Sequence, residues 1–464
     1  MYSGQDLRAQ HSVAATQLAL KGRQKRLTIY AGAGLSVSAP TSLPGGGQLA
    51  GLIQARLAKA VSFDGVQPDD LVGTADRIAG EPGGTALLHD TIIEVAPFKR
   101  AASGYGHTAL ALLLAEGAAT VLTTNYDDCI ERATDEHFAV VLTDHDRGQK
   151  DSTALLKVHG CATVPSSLVA TTDELAAAPL FASSDLDAQL LRDAVVFVGL
   201  GSPADYVKAS IARIAEKVPV EQLHVVDPRM SEWDSTEWSS VVPELAEERR
   251  ISSGADAFCD QLLSAYLHGF FSDLRRRVQD LPPTHDQRRA VEALIDVWEN
   301  LTSLVLMSWL RAQLTEPRVG RQAIVAPSVV KSTLAIATLA LDQDVHFTVD
   351  GLFNVGGRWF LAVADEDAAF ASQILVEATR RVQKARVQGQ LPSGAPVVVV
   401  SSGHVGSLGI DEVIRGADGT FSRVVKTEQL QRDLIDVDDS NGHLIDGLTA
   451  GEIAYTSAER LIAL

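Results

Sequence analysis

The segment "RLTIYAGAGLS", residues 26–36, joins a short apolar run to a glycine-rich turn. The run is largely apolar on both faces instead of alternating, which is typical of a parallel strand covered by helices. Similar runs lie at 119–125, 138–143, 154–160, 194–201 and 222–227. Segments with helical spacing lie at 48–60, 106–117, 185–194 and 204–217. This alternation predicts an α/β fold with a doubly wound, Rossmann-like parallel sheet.

Length and composition limit the classes of protein that remain. The chain has 464 residues, of which 46% are hydrophobic, so a sizeable buried core and two or three domains are expected. The 59 acidic residues exceed the 40 basic ones and give a net charge of −19. Strong direct binding to nucleic acid needs a basic face, and this balance argues against it.

The cysteines do not form a metal motif. Cys129, Cys161 and Cys259 are far apart and contain no CxxC pair, so neither a zinc ribbon nor a disulfide framework is expected. The first residues have a helix-like pattern without the apolar core of a signal peptide, and no run reaches the ~18 residues of a membrane span. We therefore expect a cytoplasmic protein without zinc.

A second domain is predicted after a break at residues 279–287, where two prolines end a helix. We expect a first domain at 1–280 and a second, smaller α/β domain at 286–464. In the second domain the pattern predicts one long helix over 286–314, a hairpin over 344–365, a helix over 373–389 and a strand over 396–402.

Glycine and polar residues follow several of the predicted strands. The carboxyl ends of parallel strands line one crevice of a doubly wound sheet, so these residues are expected to converge there. The N–H groups of Gly32 and Gly34 are expected to be free to face a pyrophosphate, and Ser36 adds a hydroxyl donor. The later strand ends contribute Asn125, Asp127, His159, Gly199, Gly201, Ser202 and Asp227.

Together these motifs resemble the sirtuin family, and its bacterial NAD-hydrolysing branch more closely than its protein deacylases. The resemblance is carried, in family order, by "GAGLS" (32–36), "GYGHTALALL" (104–113), "TTNYDDCIE" (123–131) and "KVHG" (157–160). It covers roughly residues 20 to 275. The two CxxC pairs of the sirtuin zinc module are absent, and "APTSLPGGG" (39–47) stands where the family has its "GIPDFR" cofactor loop.

The resemblance implies roles for individual side chains. Asn125 would orient water and the ribose, Asp127 would accept hydrogen bonds from the nicotinamide carboxamide, and His159 would act as general base through ribose hydroxyls. Without a peptide cleft, water is the nucleophile and the products are nicotinamide and ADP-ribose. Asp227 would bind an adenosine ribose, as acids do in Rossmann-like sites. The remaining implied contacts to NAD come from Gly32, Ala33, Gly34, Ser36, Thr124, Gly199, Gly201 and Ser202.

Other interpretations of the same residues remain open. Asn125 and Asp127 could serve only as a helix N-cap, and His159 could be a satisfied core histidine. We interpret His107 as a structural residue at a helix start. The alternative functions are a zinc-free NAD-dependent deacylase or ADP-ribosyltransferase, and a non-catalytic module that senses NAD or ADP-ribose. A P-loop nucleotidase is disfavoured because no GxxxxGK[ST] occurs.

The hairpin and helix of the second domain resemble the restriction-endonuclease core. A nuclease would need an acid such as Asp350 and an acid-x-lysine triplet on the next strand, but "RWFLAVAD" (358–365) contains no lysine. We therefore interpret the domain as a non-catalytic module for assembly or sensing. The apolar stripe with Trp298, Leu301, Val305 and Trp309 is interpreted as core, with an assembly surface as the alternative.

A sirtuin-like NADase joined to such a module resembles the effectors of antiphage defence. This resemblance implies an enzyme that is held inactive until a trigger or partner assembles it, after which NAD depletion aborts the infection. The implied partner is a HerA-type ATPase, a short Argonaute or further copies of the chain in a homo-oligomer. No membrane association is expected.

Overall fold

A computed structural model describes residues 12–143, 146, 154–177, 194–201, 205–314, 322–348, 351–363, 371–392, 395, 397–401, 413–415, 421–423 and 453–457. The chain divides into two compact units, His11–Tyr266 and Leu267–Leu464. The division lies within the helix Ala255–Val278, upstream of the break at 279–287 that the sequence indicates.

The first unit is built on a parallel sheet of seven strands in the order β3-β4-β2-β1-β5-β6-β7. This confirms the predicted doubly wound α/β fold. The six predicted strands are all present in shortened form, and the two-residue β7 was not predicted. The strands are β1 (Leu27–Ala31), β2 (Ala119–Thr123), β3 (Ala139–Val141), β4 (Ala154–Lys157), β5 (Ala194–Val198), β6 (Leu223–Val226) and β7 (Arg250–Ile251).

The central strands are buried along their whole length, which explains why their sequences do not alternate. Every residue of β1, β2 and β5 is buried. β1 lies between β2 and β5, with Ile29 opposite Val121 on one side and Val196 on the other. After β1 the chain first builds the strands on the β2 side of the sheet, and from β5 onward it builds those on the other side. The carboxyl ends of β1 and β5 therefore flank the switch point, where ligands bind in this architecture.

Helices flank this sheet, and three of them form a layer over the loops that position the site. Apolar side chains of α2, α3 and α4 pack in one cluster with Tyr126 and Leu168, which follow β2 and β4. Helices α3 and α4 were not predicted, and the predicted helix at 185–194 lies outside the described residues. The helices are α1 (Val13–Arg23), α2 (Gly46–Leu57), α3 (Leu71–Ala79), α4 (Gly84–Val95), α5 (Tyr105–Ala115), α6 (Thr172–Ala176), α7 (Asp205–Lys217), α8 (Trp238–Val241) and α9 (Ala255–Val278).

The second unit contains a mixed five-stranded sheet in the order β14-β11-β10-β9-β8. β8, β9 and β10 form an antiparallel meander in place of the single predicted hairpin, and β10, β11 and β14 are parallel. A separate pair, β12 and β13, is antiparallel. The strands are β8 (Val345–Phe347), β9 (Leu352–Val355), β10 (Arg358–Val363), β11 (Val397–Ser401), β12 (Val413–Arg415), β13 (Phe421–Arg423) and β14 (Ile453–Ser457).

The predicted single helix over 286–314 was wrong, because the structure divides it into two. The Thr302 hydroxyl accepts the backbone N–H of Val305 at 3.3 Å and so begins a new helix. The helices of this unit after α9 are α10 (Asp286–Trp298), α11 (Ser303–Ala312), α12 (Pro327–Ala340) and α13 (Ala371–Val387). None of the helices in the described ranges is both long and apolar enough to cross a membrane.

The apolar stripe of α10 and α11 is part of the core of the second unit. Trp298 and Trp309 are fully buried and contact each other with ring centroids 5.9 Å apart. Both also contact Phe347. The interpretation as core is confirmed for Trp298 and Trp309, which excludes an assembly surface at the two tryptophans, whereas Leu301 and Val305 are half-buried. Asp350, the acid that a nuclease would require, lies outside the described residues.

Candidate active site

A cavity of about 840 Å³ lies at the carboxyl ends of the parallel strands of the first unit. Its volume falls in the usual range of small-molecule and cofactor sites, roughly 300–1,000 Å³. The loops after β1, β2 and β4 reach it, and α2 and α3 border it. Six of the residues predicted from the sequence line it together: Ala33, Ser36, Thr124, Asn125, Asp127 and His159.

The glycines of the loop after β1 serve close packing. The N–H of Gly32 donates to the carbonyl of Val198 at 2.9 Å, and that of Gly34 donates to Gly199 at 2.6 Å. A Cβ on Gly34 would lie 2.7 Å from the Gly199 carbonyl oxygen, so only glycine permits this approach. The expectation that the two amides are free to face a pyrophosphate was therefore wrong. The glycines allow the β1 and β5 loops to meet beside the cavity.

Ser36 connects the polar side chains at the base of the cavity. Its hydroxyl donates to Asp127 Oδ2 at 2.9 Å and accepts Asn125 Nδ2 at 3.1 Å. The third contact is with His107 Nε2 at 3.0 Å. One donor and two acceptor positions are the full capacity of a hydroxyl. Ser36 therefore orients the amide and the carboxylate, instead of offering its own hydroxyl to a cofactor.

The protonation of His107 excludes a nucleophilic serine at this position. The N–H of Gly104 donates to His107 Nδ1 at 3.0 Å, so the proton of the neutral ring lies on Nε2. Burial lowers the pKa of His107, against the attraction of Asp127, which favours this neutral form. Nε2 thus donates to Ser36, whereas the base of a Ser-His-Asp triad must accept the serine proton. His107 has the structural role expected from the sequence.

Asn125 has an acceptor atom that no described residue satisfies. Its backbone N–H donates to Thr123 Oγ1 at 3.1 Å, and its Nδ2 is held by Ser36. The side chain is 7% exposed, and its Oδ1 is buried without a hydrogen-bond partner among the described residues. Buried polar atoms are nearly always satisfied, so an oxygen without a partner among the described residues, on a residue that lines the cavity, is an acceptor available to a ligand.

Asp127 is held by a local turn and by Ser36. Its Oδ1 accepts the N–H of Cys129 at 3.1 Å, which is the pattern of an Asx turn. Residues 124–138 contain no helix, so the interpretation of Asn125 and Asp127 as a helix N-cap was wrong. The segment is an irregular loop whose polar side chains face the cavity.

His159 lies on the neighbouring loop, two residues beyond β4. The residue is 9% exposed and lines the cavity, and burial lowers its pKa to about 4. The next residue, Gly160, has φ of +81°, and a Cβ there would lie 2.0 Å from the carbonyl oxygen of Ser167. Only glycine fits this turn. The imidazole is therefore neutral at pH 7 and is carried by a tightly constrained turn.

Several predicted cofactor residues do not line the cavity. Gly32, Gly34 and Gly199 form the backbone beside it, and Gly201, with φ of +59°, lies just beyond them. Asp227 is 2% exposed, and its Oδ1 accepts the backbone N–H of Arg229 at 2.8 Å and the Arg229 Nε at 3.3 Å. Ser202 lies outside the described residues.

The sequence interpretation missed a buried ion pair behind this site. Lys157, the last residue of β4, is 1% exposed and lies 2.9 Å from Glu131. Lys157 is the one Lys, Arg, Asp or Glu within strands β1–β6. A lysine inside an otherwise apolar strand is the signal that could have revealed it. Acidic residues that line the cavity from the α3 side, namely Asp69, Asp70 and Asp76, were also missed.

One cluster has the residue types of a metal site. Ligand atoms of His107, Asp127 and Cys129 lie within 4.8 Å of one another. However, the ring and carboxylate atoms already hold the hydrogen bonds described above, and the Cys129 thiol is 3.7 Å from the carbonyl of Ala101. Burial, together with Asp127, raises the pKa of Cys129, which disfavours the thiolate that zinc requires. The donor set fits a hydrogen-bonded network better than a zinc site.

A comparison with protein families finds a match within the first unit. Residues 119–241 match the family model described as SIR2-like domain, which supports a sirtuin-like fold for the first unit. This match spans β2 to β6 and includes Asn125, Asp127 and His159. No curated protein matches the chain.

Solved structures similar to this chain include Sir2 proteins. A structure that concerns the mechanism and regulation of Sir2 enzymes has 16% identity and a TM-score of 0.35, over 55% of this chain and 98% of that one. A Sir2 homologue–NAD complex has 15% identity and a TM-score of 0.33, over 56% and 97%. An ADP-ribose complex of a mutant Sir2 homologue has 15% identity and a TM-score of 0.32, over 55% and 96%.

Proposed function

We propose that this chain is an NAD⁺ glycohydrolase that cleaves NAD to nicotinamide and ADP-ribose. The observation that carries the proposal is the placement of Asn125 and His159 on one cavity, with the Asn125 Oδ1 unpartnered among the described residues. The SIR2-like match over the same strands and the dinucleotide-binding architecture of the sheet also support it.

The proposed reaction breaks the bond between the nicotinamide nitrogen and C1′ of the ribose. The bonding electrons go to the ring nitrogen, which neutralises the cationic leaving group and leaves an oxocarbenium-like sugar. Water attacks C1′ and its proton leaves through the ribose hydroxyls to His159, which releases it to solvent. Overall, NAD⁺ and water are converted to nicotinamide, ADP-ribose and a proton. Burial keeps His159 unprotonated at pH 7, so one ring nitrogen lacks the proton that it must accept.

Asn125 and Asp127 are proposed to position the reacting groups. The Oδ1 of Asn125 would accept a hydrogen bond from the ribose or the attacking water, while Ser36 holds Nδ2 and thereby sets the rotation of the amide. The carboxylate of Asp127 has lone pairs beyond those that accept the hydrogen bonds of Ser36 and Cys129. These lone pairs would accept hydrogen bonds from the N–H groups of the nicotinamide carboxamide. Ala33 and Thr124 would contribute to cofactor binding from the cavity wall. A contact between Asp227 and the adenosine ribose stays a prediction.

The pH dependence of turnover is expected to reflect the low pKa of His159. The neutral ring is the active base, so activity should fall only when the ring is protonated, near pH 4. An ordinary histidine would place this acid limb near pH ~6.5. The measurement is kcat/KM for NAD from pH 4 to 8. A limb centred near the ordinary value would contradict the assignment of the base.

The folded state must be monitored across the same pH range. Because burial depresses the folded pKa of His159, its contribution to stability is present above about pH 6.5 and is lost as the pH falls toward 4. His224, whose pKa burial also lowers to about 4, acts in the same direction. Circular dichroism at each pH separates loss of turnover from loss of structure.

The direct test of the proposed function is incubation of the purified protein with NAD, followed by chromatography of the products. Equal amounts of nicotinamide and ADP-ribose, formed without any further substrate, are expected. Release that requires an acyl-lysine peptide or a target protein would instead indicate a deacylase or an ADP-ribosyltransferase. Binding of NAD without turnover, in the presence of the co-expressed neighbouring proteins as well, would favour the sensing module.

We extend the proposal to a regulated effector of antiphage defence that depletes NAD when assembled. The second unit supports a non-catalytic role, because β10 contains neither an acid nor a lysine between residues 358 and 363. A HerA-type ATPase, a short Argonaute or further copies of the chain would provide the assembly. Molar mass and NAD turnover should be measured together, with and without these partners. A strict monomer that is fully active alone would contradict regulation by assembly.

A further inference from the structure

We infer that Lys157 is a positioning residue, whose buried ammonium group fixes the segment with Asn125 and Asp127 relative to His159. The inference rests on the proposed function and deepens it, since it concerns the same site. Lys157 does not line the cavity. It acts through the backbone of the loop that carries the proposed catalytic residues.

The contacts of Lys157 show which part of the site it holds. Its Nζ donates to the backbone carbonyl of Asp127 and forms a 2.9 Å ion pair with Glu131. Both acceptors belong to the irregular segment after β2, in which no helix or strand fixes the backbone. A charged donor on the neighbouring strand therefore replaces the regular hydrogen bonds that this segment lacks.

The register of the sheet explains why this anchor affects two loops at once. Lys157 pairs with Thr123, the last residue of β2, so the lysine lies beside the point where the irregular segment begins. His159 follows Lys157 by only two residues, just beyond the end of β4. The N–H of Val158, between them, donates to the Thr123 carbonyl at 3.0 Å. The pairing of Lys157 with Thr123 and the bond from Val158 to Thr123 therefore fix the position of Asn125 relative to His159.

The lysine remains charged despite its burial. Burial acts to lower the pKa of Lys157, but the nearby carboxylates of Glu131 and Asp127 outweigh it, so the pKa is raised. Burying an ion pair costs desolvation energy, and an apolar residue of similar size often gives equal or greater stability. A buried lysine at this place is therefore better explained by the carbonyl that it holds than by its contribution to folding.

The experiment compares Lys157→Met with Glu131→Gln. Lys157→Met removes the donor to Asp127, whereas Glu131→Gln neutralises the partner and leaves that donor in place. Arg132→Met is the matched control, because Arg132 anchors the same segment to the Ala101 carbonyl at 2.8 Å and does not contact the Asp127 carbonyl. The double variant Lys157→Met/Glu131→Gln leaves no unpaired charge from this ion pair. It replaces Lys157→Met in both measurements if Lys157→Met does not fold.

Two measurements are made on each variant. Hydrogen exchange should show faster exchange, by about tenfold or more, in peptides covering 124–131 of Lys157→Met, with the peptides of β1 unchanged. Steady-state kinetics should show kcat lowered on the order of 100-fold with KM changed by less than about threefold, because misplacement affects the reacting groups more than binding. Glu131→Gln and Arg132→Met should keep kcat within about tenfold of the parent protein.

The outcomes separate the inference from the proposed function. Unchanged exchange at 124–131 in Lys157→Met overturns the positioning role, whether or not the protein hydrolyses NAD. Equal losses of kcat in Lys157→Met and Arg132→Met also overturn it, because general loosening of the segment would then suffice. If the parent protein releases no nicotinamide, either alone or with the co-expressed neighbouring proteins, while exchange rises as expected, the hydrolase proposal fails and the positioning role stands.

Discussion

Asn125→Ala is expected to lower nicotinamide release by about 10²–10³-fold while the protein remains folded. The substitution removes the Oδ1 that has no partner among the described residues, and with it the group proposed to orient water and ribose. The folded state loses one hydrogen bond to Ser36, worth about 1 kcal/mol, and is relieved of an unsatisfied buried oxygen. Stability should therefore change little. The measurement is initial rate at saturating NAD, with thermal unfolding in parallel.

Asn300→Ala is the control for this variant. Asn300 also donates through its side-chain amide to a carbonyl, that of Asp296 at 2.7 Å, but it lies between α10 and α11 of the second unit. Its replacement should leave the rate of NAD cleavage unchanged. A purified Asn125→Ala protein with parental turnover would remove Asn125 from the mechanism.

The second large effect is expected for His159→Gln, with turnover lowered by about 10²–10⁴-fold, the usual contribution of a general base. Glutamine occupies a similar volume and keeps polar atoms in the site, but it cannot take up a proton at neutral pH. Binding of ADP-ribose should persist, since the remaining cavity residues are unchanged. The measurements are kcat and the dissociation constant of ADP-ribose, on the same preparation.

His224→Gln is a closely matched control. His224 is buried in β6, and burial lowers its pKa to about 4, as it does for His159, yet His224 does not line the cavity. The two variants should lose stability to a similar extent, and only His159→Gln should lose turnover. If both variants lose turnover equally, the effect of His159 is structural, and the interpretation as a core histidine is the right one.

The sheet could be predicted from the sequence because its strands are buried on both faces. A strand such as β5, in which every residue is apolar, has no polar alternation that would mark it as a surface strand. The layer of α3 and α4 was missed, because these short helices pack in a cluster that includes residues of the irregular segments after β2 and β4. The break between α10 and α11 depends on a single capping threonine within an otherwise continuous apolar pattern.

Six residues that line the candidate site could be named from the sequence, but their hydrogen bonds could not. Adjacent parallel strand ends bring Asn125 and His159 to one cavity, as the motif order indicates. The partners of Ser36 and of the amides of Gly32 and Gly34 come from segments far away in the sequence, so the local pattern contains no information on them. Lys157 stands out in the sequence as a lysine within an otherwise apolar strand, but its partners on the segment after β2 could not be predicted from the local pattern.

The closure of the Gly32–Ser36 loop on Gly199 has a consequence for synthesis of the protein. A nascent chain that ends before Ala194 already contains Asn125 and His159, but it lacks β5 and the carbonyls that accept the amides of Gly32 and Gly34. Until the ribosome adds these residues, at roughly 5–20 per second, β1 is an exposed edge and the cavity is incomplete. If the chain is the NAD hydrolase proposed above, translation products that stop before β5 are expected to be inactive.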